Sequence, residues 1–427
     1  MKLLFSDILT TSSPERLYVA CDGEKITYVG KSRPQGEFDR VIDGRDRLLS
    51  PGFYNVHCHS AMTLFRGLGG GLPLKSWLND KILPAEDRLS AETVRIASEL
   101  AIAEMLACGT VSFSDMYFFC DATAEAAEKT GIRANISRSV VSFDEDADPA
   151  SDSRVREAAE LYKKWNGAGR IKVDFSLHAE YTNTARMCAY LAGLAQKYGA
   201  GMQIHLSETE EEHLACIERR GKTPAAFFGE LGVLGPRTVC AHAVWVSDED
   251  IRLLSENKAS VVHCPRSNLK LGSGIAPLAK LLHGGVNVAL GTDGAASNNR
   301  LSVYGEYNLC AVLHNGNARR ADLIAPAALL PLIAENGARA QNRPDCGKIE
   351  AGYAADFALL RTDRVHTAPI LDTADLFAYS ADSSDVVMTV VGGDILYENG
   401  EYTTIDIERL KYVFAAAAKE FYGEEML

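Results

Sequence analysis

The sequence has no apolar run of 18 residues, so no segment matches a membrane-spanning helix. No two cysteines have Cys-x-x-Cys spacing, and ten cysteines in 427 residues lie far below the density of a disulfide scaffold. Basic residues are outnumbered, 44 against 57, and the net charge of −13 argues against a nucleic-acid partner. The amino terminus has no signal-peptide pattern, because Ser6 and Asp7 interrupt its apolar stretch. We therefore expect a cytoplasmic protein that binds neither nucleic acid nor a membrane.

Several catalytic motifs are also missing. The chain contains no H-E-x-x-H, no G-x-x-x-x-G-K-[ST] and no P-C-x-x-C, which excludes the common metalloprotease, P-loop and base-flipping deaminase classes. Ser267 to Lys270 match S-x-x-K, but the partner motifs of that enzyme class are absent. With 47% hydrophobic and 24% charged residues, the composition is that of an ordinary globular protein.

Apolar, β-rich runs alternate with helical stretches after Pro51. Each run has the length of a buried parallel strand. The eight runs are 53–59, 110–116, 133–139, 171–178, 201–207, 237–245, 259–264 and 286–294. One of the intervening helices has Ser90 as a plausible N-cap and Gly109 just past its end. Strand followed by helix, eight times over, predicts a (β/α)8 TIM barrel.

Both ends of the chain have sequence patterns that are typical of β-strands. Asp22-Gly23 between two short alternating runs is a strong hairpin signal, and β-type runs return after the barrel, followed by a closing helix. We therefore predict a composite β-sandwich domain with a C-terminal helix from residues 1–50 and 350–427, beside a barrel formed by residues 51–349.

Histidines cluster at the predicted carboxyl ends of the barrel strands, where barrel enzymes build their active sites. A single histidine there is more often a hydrogen-bonded core residue than a functional one. The residues at these ends are His57, His59, His178, His205, His242, His263 and Asp293. So many together indicate a functional site.

His57 and His59 are two positions apart on one strand, so their imidazoles project from the same face. His205, His242 and Asp293 add donors from later strands. A set of nitrogen and oxygen donors without a thiolate favours Zn²⁺, with Fe²⁺ as the alternative. The structural alternative is a dense hydrogen-bonding network in the same place.

Glu208 lies three residues after His205. A carboxylate just beyond a metal-binding strand can serve as a proton shuttle. Glu210, Glu211 and Glu212 follow at once, as in the acidic first turn of a helix, so Glu208 could equally be a solvated acid. Position alone leaves both interpretations open.

Four stretches of the chain resemble signature segments of the amidohydrolase superfamily, and within it the branch of 5'-methylthioadenosine/S-adenosylhomocysteine deaminases and related aminohydrolases. They are PGFYNVHCHSAMTLFRGLGGGLPLKSWL, QIHLSET, VVHCPRSNLKLGSGIAPL and GTDGAASNN. The resemblance extends over essentially the whole chain. It implies metal-dependent hydrolytic deamination of an adenosine derivative, with the inosine derivative and ammonia as products.

By position, the resemblance implies four metal ligands, namely His57, His59, His205 and Asp293. It also implies a catalytic set of Glu208, His242 and Asp293, in which Glu208 protonates the ring and His242 contacts the reacting oxygen.

The resemblance further implies substrate contacts. Glu86 would hold the ribose hydroxyls, Trp77 would form a pocket wall, and Arg138 and Arg154 would meet a homocysteine carboxylate. The remaining substrate contacts implied are His178, Glu208 and Ser297. Structural alternatives are solvated helix residues for Glu86 and Arg154, an ion pair for Arg138, core for Trp77 and a turn for Ser297.

One stretch departs from the family pattern. Where relatives usually read P-H-x-P-Y, this chain reads LHAEY, with Leu177 and Glu180 in place of the two prolines. An acid at this point predicts a change in the shape of the substrate site.

Three functional hypotheses follow. The first is deamination of S-adenosylhomocysteine, 5'-methylthioadenosine, adenosine or 5'-deoxyadenosine. The second is hydrolysis of another heteroaromatic of guanine, cytosine, pterin or triazine type, which has no ribose hydroxyls for Glu86 to hold. The third is a catalytically silent barrel, which predicts the loss of Glu208 or Asp293, although both are present. The resemblance weakly implies a homo-oligomer.

Overall fold

A computed structural model describes residues 1–423 of the chain. Eight parallel strands in its middle form one sheet in sequential order, and the first and last of them meet where the Asp293 amide donates to the His57 carbonyl oxygen at 3.0 Å. These strands are β6 (Phe53–Cys58), β7 (Thr110–Tyr117), β8 (Arg133–Val140), β9 (Ile171–Leu177), β10 (Met202–Leu206), β11 (Thr238–His242), β12 (Ser260–His263) and β13 (Asn287–Leu290). Six of these strands each lie within one predicted run, and β7 and β8 extend one residue beyond theirs, so the predicted barrel is confirmed.

Helices lie between the barrel strands, and further helices follow the last of these strands. They are α1 (Leu74–Trp77), α2 (Leu83–Glu86), α3 (Ala91–Ala107), α4 (Cys120–Thr130), α5 (Ser153–Trp165), α6 (Ala185–Tyr198), α7 (Glu210–Arg220), α8 (Pro224–Glu230), α9 (Asp248–Glu256), α10 (Pro265–Lys270), α11 (Leu278–His283), α12 (Ala295–Asn298), α13 (Val303–Ala318), α14 (Pro326–Ile333), α15 (Glu335–Ala340), α16 (Thr373–Asp375) and α17 (Ile407–Tyr422). The Ser90 hydroxyl caps α3, as predicted, by accepting from the Thr93 amide, and Gly109 follows this helix with a φ of 86°. Short 3-10 or π turns span Ser60–Phe65, Leu78–Ile82, Pro149–Ser151, Glu180–Thr182, Val365–Thr367, Leu376–Ser380 and Ser383–Asp385.

The two chain ends share a second sheet. It contains β1 (Lys2–Thr10), β2 (Ser13–Asp22), β3 (Lys25–Gly30), β4 (Arg40–Asp43), β5 (Arg47–Pro51), β14 (Phe357–Arg361), β15 (Val386–Val391), β16 (Asp394–Glu398) and β17 (Glu401–Tyr402). Antiparallel pairing of β14 with β5 joins the two ends, and the predicted hairpin forms between β2 and β3. The strands follow one hydrogen-bonded path, β17-β16-β15-β14-β5-β1-β2-β3, with β4 beside β1.

The closing helix α17 packs on the barrel side. Phe421 lies in an apolar cluster with Phe65, and the Tyr422 hydroxyl donates to the Leu64 carbonyl oxygen at 2.9 Å. The predicted domain boundaries stay a prediction, and residues 424–427 of the C-terminal domain lie outside the described residues. Among residues 1–423, no helix combines the length and apolarity that a bilayer crossing requires.

Candidate metal and catalytic site

Five predicted site residues converge at the carboxyl-terminal mouth of the barrel. The ring centroid of His57 lies 4.9 Å from those of His59 and His205, and 5.5 Å from that of His242. One ligand atom each from His57, His59 and His205 lie within 4.8 Å of one another. The same holds for His57, His242 and Asp293. The ends of separate parallel strands therefore form a single cluster of nitrogen and oxygen donors.

Asp293 follows β13 in the left-handed region, with a φ of 59°. Its Oδ1 lies 3.5 Å from His57 Nε2 and 3.2 Å from His59 Nε2. Its Oδ2 accepts hydrogen bonds from the hydroxyls of Ser267, at 2.6 Å, and Ser297, at 2.7 Å. Burial raises the pKa of Asp293, but the nearby imidazoles of His57 and His59 outweigh burial and hold that pKa well below its ordinary value. One carboxylate oxygen is thus anchored, and the other faces the imidazoles.

Hydrogen bonds to backbone carbonyls orient two of the imidazoles. His59 Nδ1 lies 2.6 Å from the Met116 carbonyl oxygen, and His205 Nδ1 lies 2.7 Å from that of His178. A proton on each Nδ1 leaves the Nε2 lone pair directed into the site, which is the usual support of a metal-binding histidine. The buried Nε2 of His57 has no hydrogen-bond partner among the described residues. These donors fit a divalent metal ion.

The protonation states agree with this donor role. Burial lowers the pKa of His57 to about 4 and that of His205 well below its ordinary value, so both imidazoles are neutral at pH 7. Burial also acts on His59, but its bond with Asp293 prevails and raises the pKa of His59 to about 9. Without a cation, a proton on His59 therefore balances the Asp293 charge, and a bound divalent ion would replace that proton.

His242 has a different tautomer from His59 and His205. The Asn268 side-chain amide donates to His242 Nδ1 at 2.9 Å, so the His242 proton resides on Nε2. Burial lowers the pKa of His242 to about 4, which keeps the ring neutral. Its Nε2 lies 3.7 Å from Glu208 Oε2. His242 therefore presents an N–H donor to the site.

Glu208 is buried, with 8% of its surface exposed, so the solvated-acid interpretation is wrong. Its Oε1 accepts from the Ser273 hydroxyl at 3.0 Å. Burial, together with the nearby Asp293 charge, raises the pKa of Glu208 to about 8. At neutral pH the side chain is mostly protonated, which suits a general acid.

The segment that carries Glu208 is fixed by Glu212. Ser207 has a φ of 45°, in the left-handed region. The Glu212 carboxylate accepts from the backbone N–H groups of Ser207, at 3.0 Å, and Glu208, at 2.7 Å. Glu212 is buried and belongs to the first turn of α7, so it is not the solvated acid that its sequence position suggests.

Two predicted substrate residues lie near the mouth on the segment before α3. Glu86 ends α2 and is half-buried, and burial raises its pKa to about 7 despite the opposing effects of the Tyr117 hydroxyl and His59. Trp77 is 4% exposed, lies in an apolar cluster and donates its indole N–H to the Leu68 carbonyl oxygen at 3.1 Å. Their substrate roles stay predictions.

The two predicted carboxylate-binding arginines each contact an acid of this chain. Arg138 Nε donates to Glu157 at 2.7 Å, and its guanidinium lies over the Phe118 ring. Arg154 forms two bonds with Asp152, which is also the N-cap of α5. A substrate carboxylate would have to displace Glu157 or Asp152 from these arginines, or bind beside them.

His178 and Ser297 adjoin the metal donors. The His178 ring lies 4.9 Å from that of His205, and its Nδ1 lies 3.2 Å from the Thr182 hydroxyl. Ser297 bonds to Asp293 as described above. Both residues therefore lie where an atom held at the metal donors could reach them.

Glu180, the departure from the family pattern, is completely buried. One of its oxygens accepts from Arg219 at 2.7 Å, and the other is bound by Arg220. Both arginines belong to α7. The acid that replaces a proline thus links the segment after His178 to the helix after Glu208.

Replacing Glu180 with Gln is expected to lower the free energy of unfolding by about 2–4 kcal/mol, because two arginines lose their buried counter-ion. Equilibrium unfolding in urea measures this loss. Glu218→Gln, an exposed acid of the same helix, is the matched control and should leave stability unchanged. Equal stability of both variants would contradict a structural role for the buried carboxylate.

Sequence reasoning missed the residues that hold the site together. Ser267 and Ser273 bond to Asp293 and Glu208, Asn268 orients His242, and Glu212 supports the Glu208 turn. The first three lie within VVHCPRSNLKLGSGIAPL. The resemblance of this stretch to a family signature was the signal that could have identified them. It assigned no role to the individual polar residues of the stretch.

Comparison with known proteins places this geometry in context. The model described as "Amidohydrolase family" matches residues 48–396. A 5-methylthioadenosine/S-adenosylhomocysteine deaminase of Caldanaerobacter subterraneus subsp. tengcongensis is 40% identical over 415 residues, 96% of this chain and 95% of that protein. A 5'-deoxyadenosine deaminase of Methanothermobacter thermautotrophicus is 38% identical over 419 residues, 98% of this chain and 97% of that protein.

Among solved structures, an adenosine deaminase from Xanthomonas campestris with bound zinc superposes with a TM-score of 0.92. Its sequence is 31% identical, and the alignment covers 98% of this chain and 97% of that chain. The matched family model and the extent of these alignments lead to one conclusion. The chain belongs to the amidohydrolase family.

Proposed function

We propose that the protein is a metal-dependent hydrolytic deaminase of adenosine-type nucleosides, including S-adenosylhomocysteine, 5'-methylthioadenosine, adenosine and 5'-deoxyadenosine. The observation that carries the proposal is the cluster of histidine nitrogens and Asp293 beside Glu208, whose pKa of about 8 keeps it protonated. The relatives named as deaminases of these nucleosides support the same chemistry.

His57, His59, His205 and Asp293 would hold one divalent ion, for which we propose Zn²⁺, with Fe²⁺ as the alternative. When bound, such an ion lowers the pKa of water to about 7 and so supplies a nucleophile at neutral pH. The lone pairs and charge that the ion requires are present in the chain.

The protein side chains then handle the protons. The protonated Glu208 donates to N1 of the adenine ring, which prevents negative charge from accumulating there. Asp293 Oδ1 accepts one proton of the attacking water and gives it to the departing ammonia at C6. The second water proton passes to Glu208 as the C6 oxygen becomes a carbonyl, which restores the acid for the next turnover. The His242 Nε2–H donates a hydrogen bond to the oxygen that becomes attached at C6.

Substrate selection is assigned to the outer part of the site. We propose that Glu86 accepts hydrogen bonds from the ribose hydroxyls, and that Trp77, His178 and Ser297 complete the pocket. Arg138 and Arg154 would orient the carboxylate of S-adenosylhomocysteine, because a guanidinium matches a carboxylate in two-point contact.

The Glu86 assignment predicts a pH dependence of substrate binding. Its pKa of about 7 means that acidification through neutral pH converts the carboxylate into a carboxyl group with fewer acceptor sites. KM for nucleosides is therefore expected to rise about tenfold as the pH falls below this pKa. Steady-state kinetics across this range measures the effect.

Glu86→Gln should have a high KM at every pH, with the dependence removed. Asp87→Asn, at the exposed neighbouring position, should behave as wild type. A pH dependence of KM that persists in Glu86→Gln would remove the ribose assignment.

We also propose that the protein functions in a reducing compartment, the cytoplasm, and as a homo-oligomer. All ten cysteines are free thiols, and nine of them are buried, which supports the first of these assignments.

A substrate panel tests the proposed function. Ammonia release is measured for purified, metal-loaded protein with the four nucleosides named above and with adenine, guanine and cytosine. We expect at least one nucleoside to exceed every free base in kcat/KM by about 10³-fold, because a site built to bind hydroxyl groups rejects compounds that lack them. A free base that reacts faster than all nucleosides would overturn the proposed substrate class.

A further inference from the structure

A second group of metal-binding side chains lies outside the catalytic donor set. His263, Cys310 and His314 are buried, with 0%, 1% and 5% of their surfaces exposed. One ligand atom from each lies within 4.8 Å of the other two. The proposed mechanism uses none of these residues.

Two elements bring the three residues together. His263 is the last residue of β12, whereas Cys310 and His314 are four positions apart and share one face of α13. His263 Nε2 and His314 Nε2 lie 3.1 Å apart. In a tetrahedral zinc site with bonds of 2.0–2.1 Å, neighbouring nitrogen ligands are separated by about 3.4 Å. The two imidazoles therefore already have nearly the spacing of metal ligands.

The protonation states of the two histidines also suit a metal. Burial lowers the pKa of His314 to about 4 and that of His263 well below its ordinary value, so both rings are neutral. Burial raises the pKa of the Cys310 thiol, and the charge of Glu306 raises it further. Binding would therefore form a metal–sulfur bond, break the S–H bond and release one proton to solvent.

The hydrogen bond between the two imidazoles is the competing explanation for their spacing. It satisfies only part of His263, whose Nδ1 is buried without a hydrogen-bond partner among the described residues. It also gives Cys310 no role, although this thiol lies beside both nitrogens.

We propose that His263, Cys310 and His314 form a second metal site, which binds a thiophilic ion of the Zn²⁺ class through two nitrogens and one sulfur. A bound ion would tie α13 to the end of β12. The chain continues from β12 into α10, whose Ser267 and Asn268 hold Asp293 and His242. The second site would thus stabilise the segment that supports the catalytic residues.

Cobalt substitution tests this proposal without relying on activity. The catalytic donors include no thiolate, so a thiolate-to-cobalt charge-transfer band in the near ultraviolet reports only the second site. We expect metal-free wild-type protein, titrated with Co²⁺, to develop this band. Cys310→Ser should lose it, and His314→Gln should weaken the Co²⁺ affinity of this site. Cys188→Ser, which removes a buried thiol of α6, is the matched control and should retain the band.

Metal analysis completes the test. Zinc-loaded wild-type protein should contain one more zinc ion per chain than Cys310→Ser. Wild-type protein that saturates with Co²⁺ and has no thiolate band would overturn the second site and show that the imidazoles form only a hydrogen bond. Deamination by such a protein would leave the proposed function intact. A thiolate band in a protein that deaminates nothing would instead overturn the function and leave the second site standing.

Discussion

Replacing Asp293 with Asn is expected to lower kcat by at least about 10²–10⁴-fold and to weaken metal binding. The amide has only one acceptor atom. If its oxygen faces the hydroxyls of Ser267 and Ser297, its NH₂ group faces His57 and His59, where a charged oxygen is required. If the amide is reversed, the oxygen that faces the site is uncharged and far less basic. Ammonia release and metal content per chain measure both losses.

The fold should survive this change, because the substitution keeps the shape of the side chain. Circular dichroism and urea unfolding check that the protein is intact. Asp121→Asn, on α4, whose carboxylate bonds to Lys164 and Trp165 and not to the histidine cluster, should retain full activity. Activity of Asp293→Asn close to that of wild type would defeat the role assigned to Asp293.

Replacing Glu208 with Gln is expected to lower kcat by about 10²–10⁴-fold while product affinity changes little. The amide can keep the hydrogen bond with Ser273 and can donate to N1. It cannot give up a proton, so the step that requires proton transfer slows. Steady-state turnover and equilibrium binding of the inosine-type product separate the two effects.

The pH profile provides an independent readout. If Glu208 is the general acid, as proposed, its pKa of about 8 predicts that kcat/KM for wild-type protein falls as the pH rises through that value. The residual kcat/KM of Glu208→Gln should show no such fall at alkaline pH. Glu210→Gln, at an exposed position two residues after Glu208, is the matched control. It should keep both the wild-type kcat and the fall of kcat/KM at alkaline pH. If kcat/KM of Glu208→Gln still fell through the same pH range, the general acid would be another group.

The barrel could be predicted because its strands are continuous apolar runs of suitable length, separated by helical stretches. The two-residue alternation of a strand then predicted that His57, in β6, and His59, just after it, project from the same face. The structure sets their ring centroids 4.9 Å apart. Position at a strand end was enough to predict that His205 and Asp293 would meet them, because parallel strands end at the same rim.

The supporting contacts could not be predicted, because they depend on turns rather than on periodicity. Ser207, His242 and Asp293 all have positive φ values, at 45°, 74° and 59°. Such left-handed turns redirect side chains by amounts that no strand or helix pattern encodes. Glu212 illustrates the result, since an acid in a helix's first turn usually faces solvent, yet here it binds two backbone amides.

The contact partners of individual charged residues could not be predicted from the sequence either. The sequence identified Arg138 and Glu180 as unusual or functional positions, but their partners are distant in the chain. Arg138 meets Glu157 from α5, and Glu180 meets two arginines from α7. The cluster of His263, Cys310 and His314 has the same character, because His263 on β12 and His314 on α13 are 51 residues apart in the chain and meet only in the fold.

Anomalous diffraction from crystals of the zinc-loaded protein tests the central claim most directly. We expect a zinc peak at the barrel mouth, within about 2.0–2.2 Å of one nitrogen each of His57, His59 and His205 and of one oxygen of Asp293. A fully loaded, active protein with no zinc bound by these four residues would contradict it.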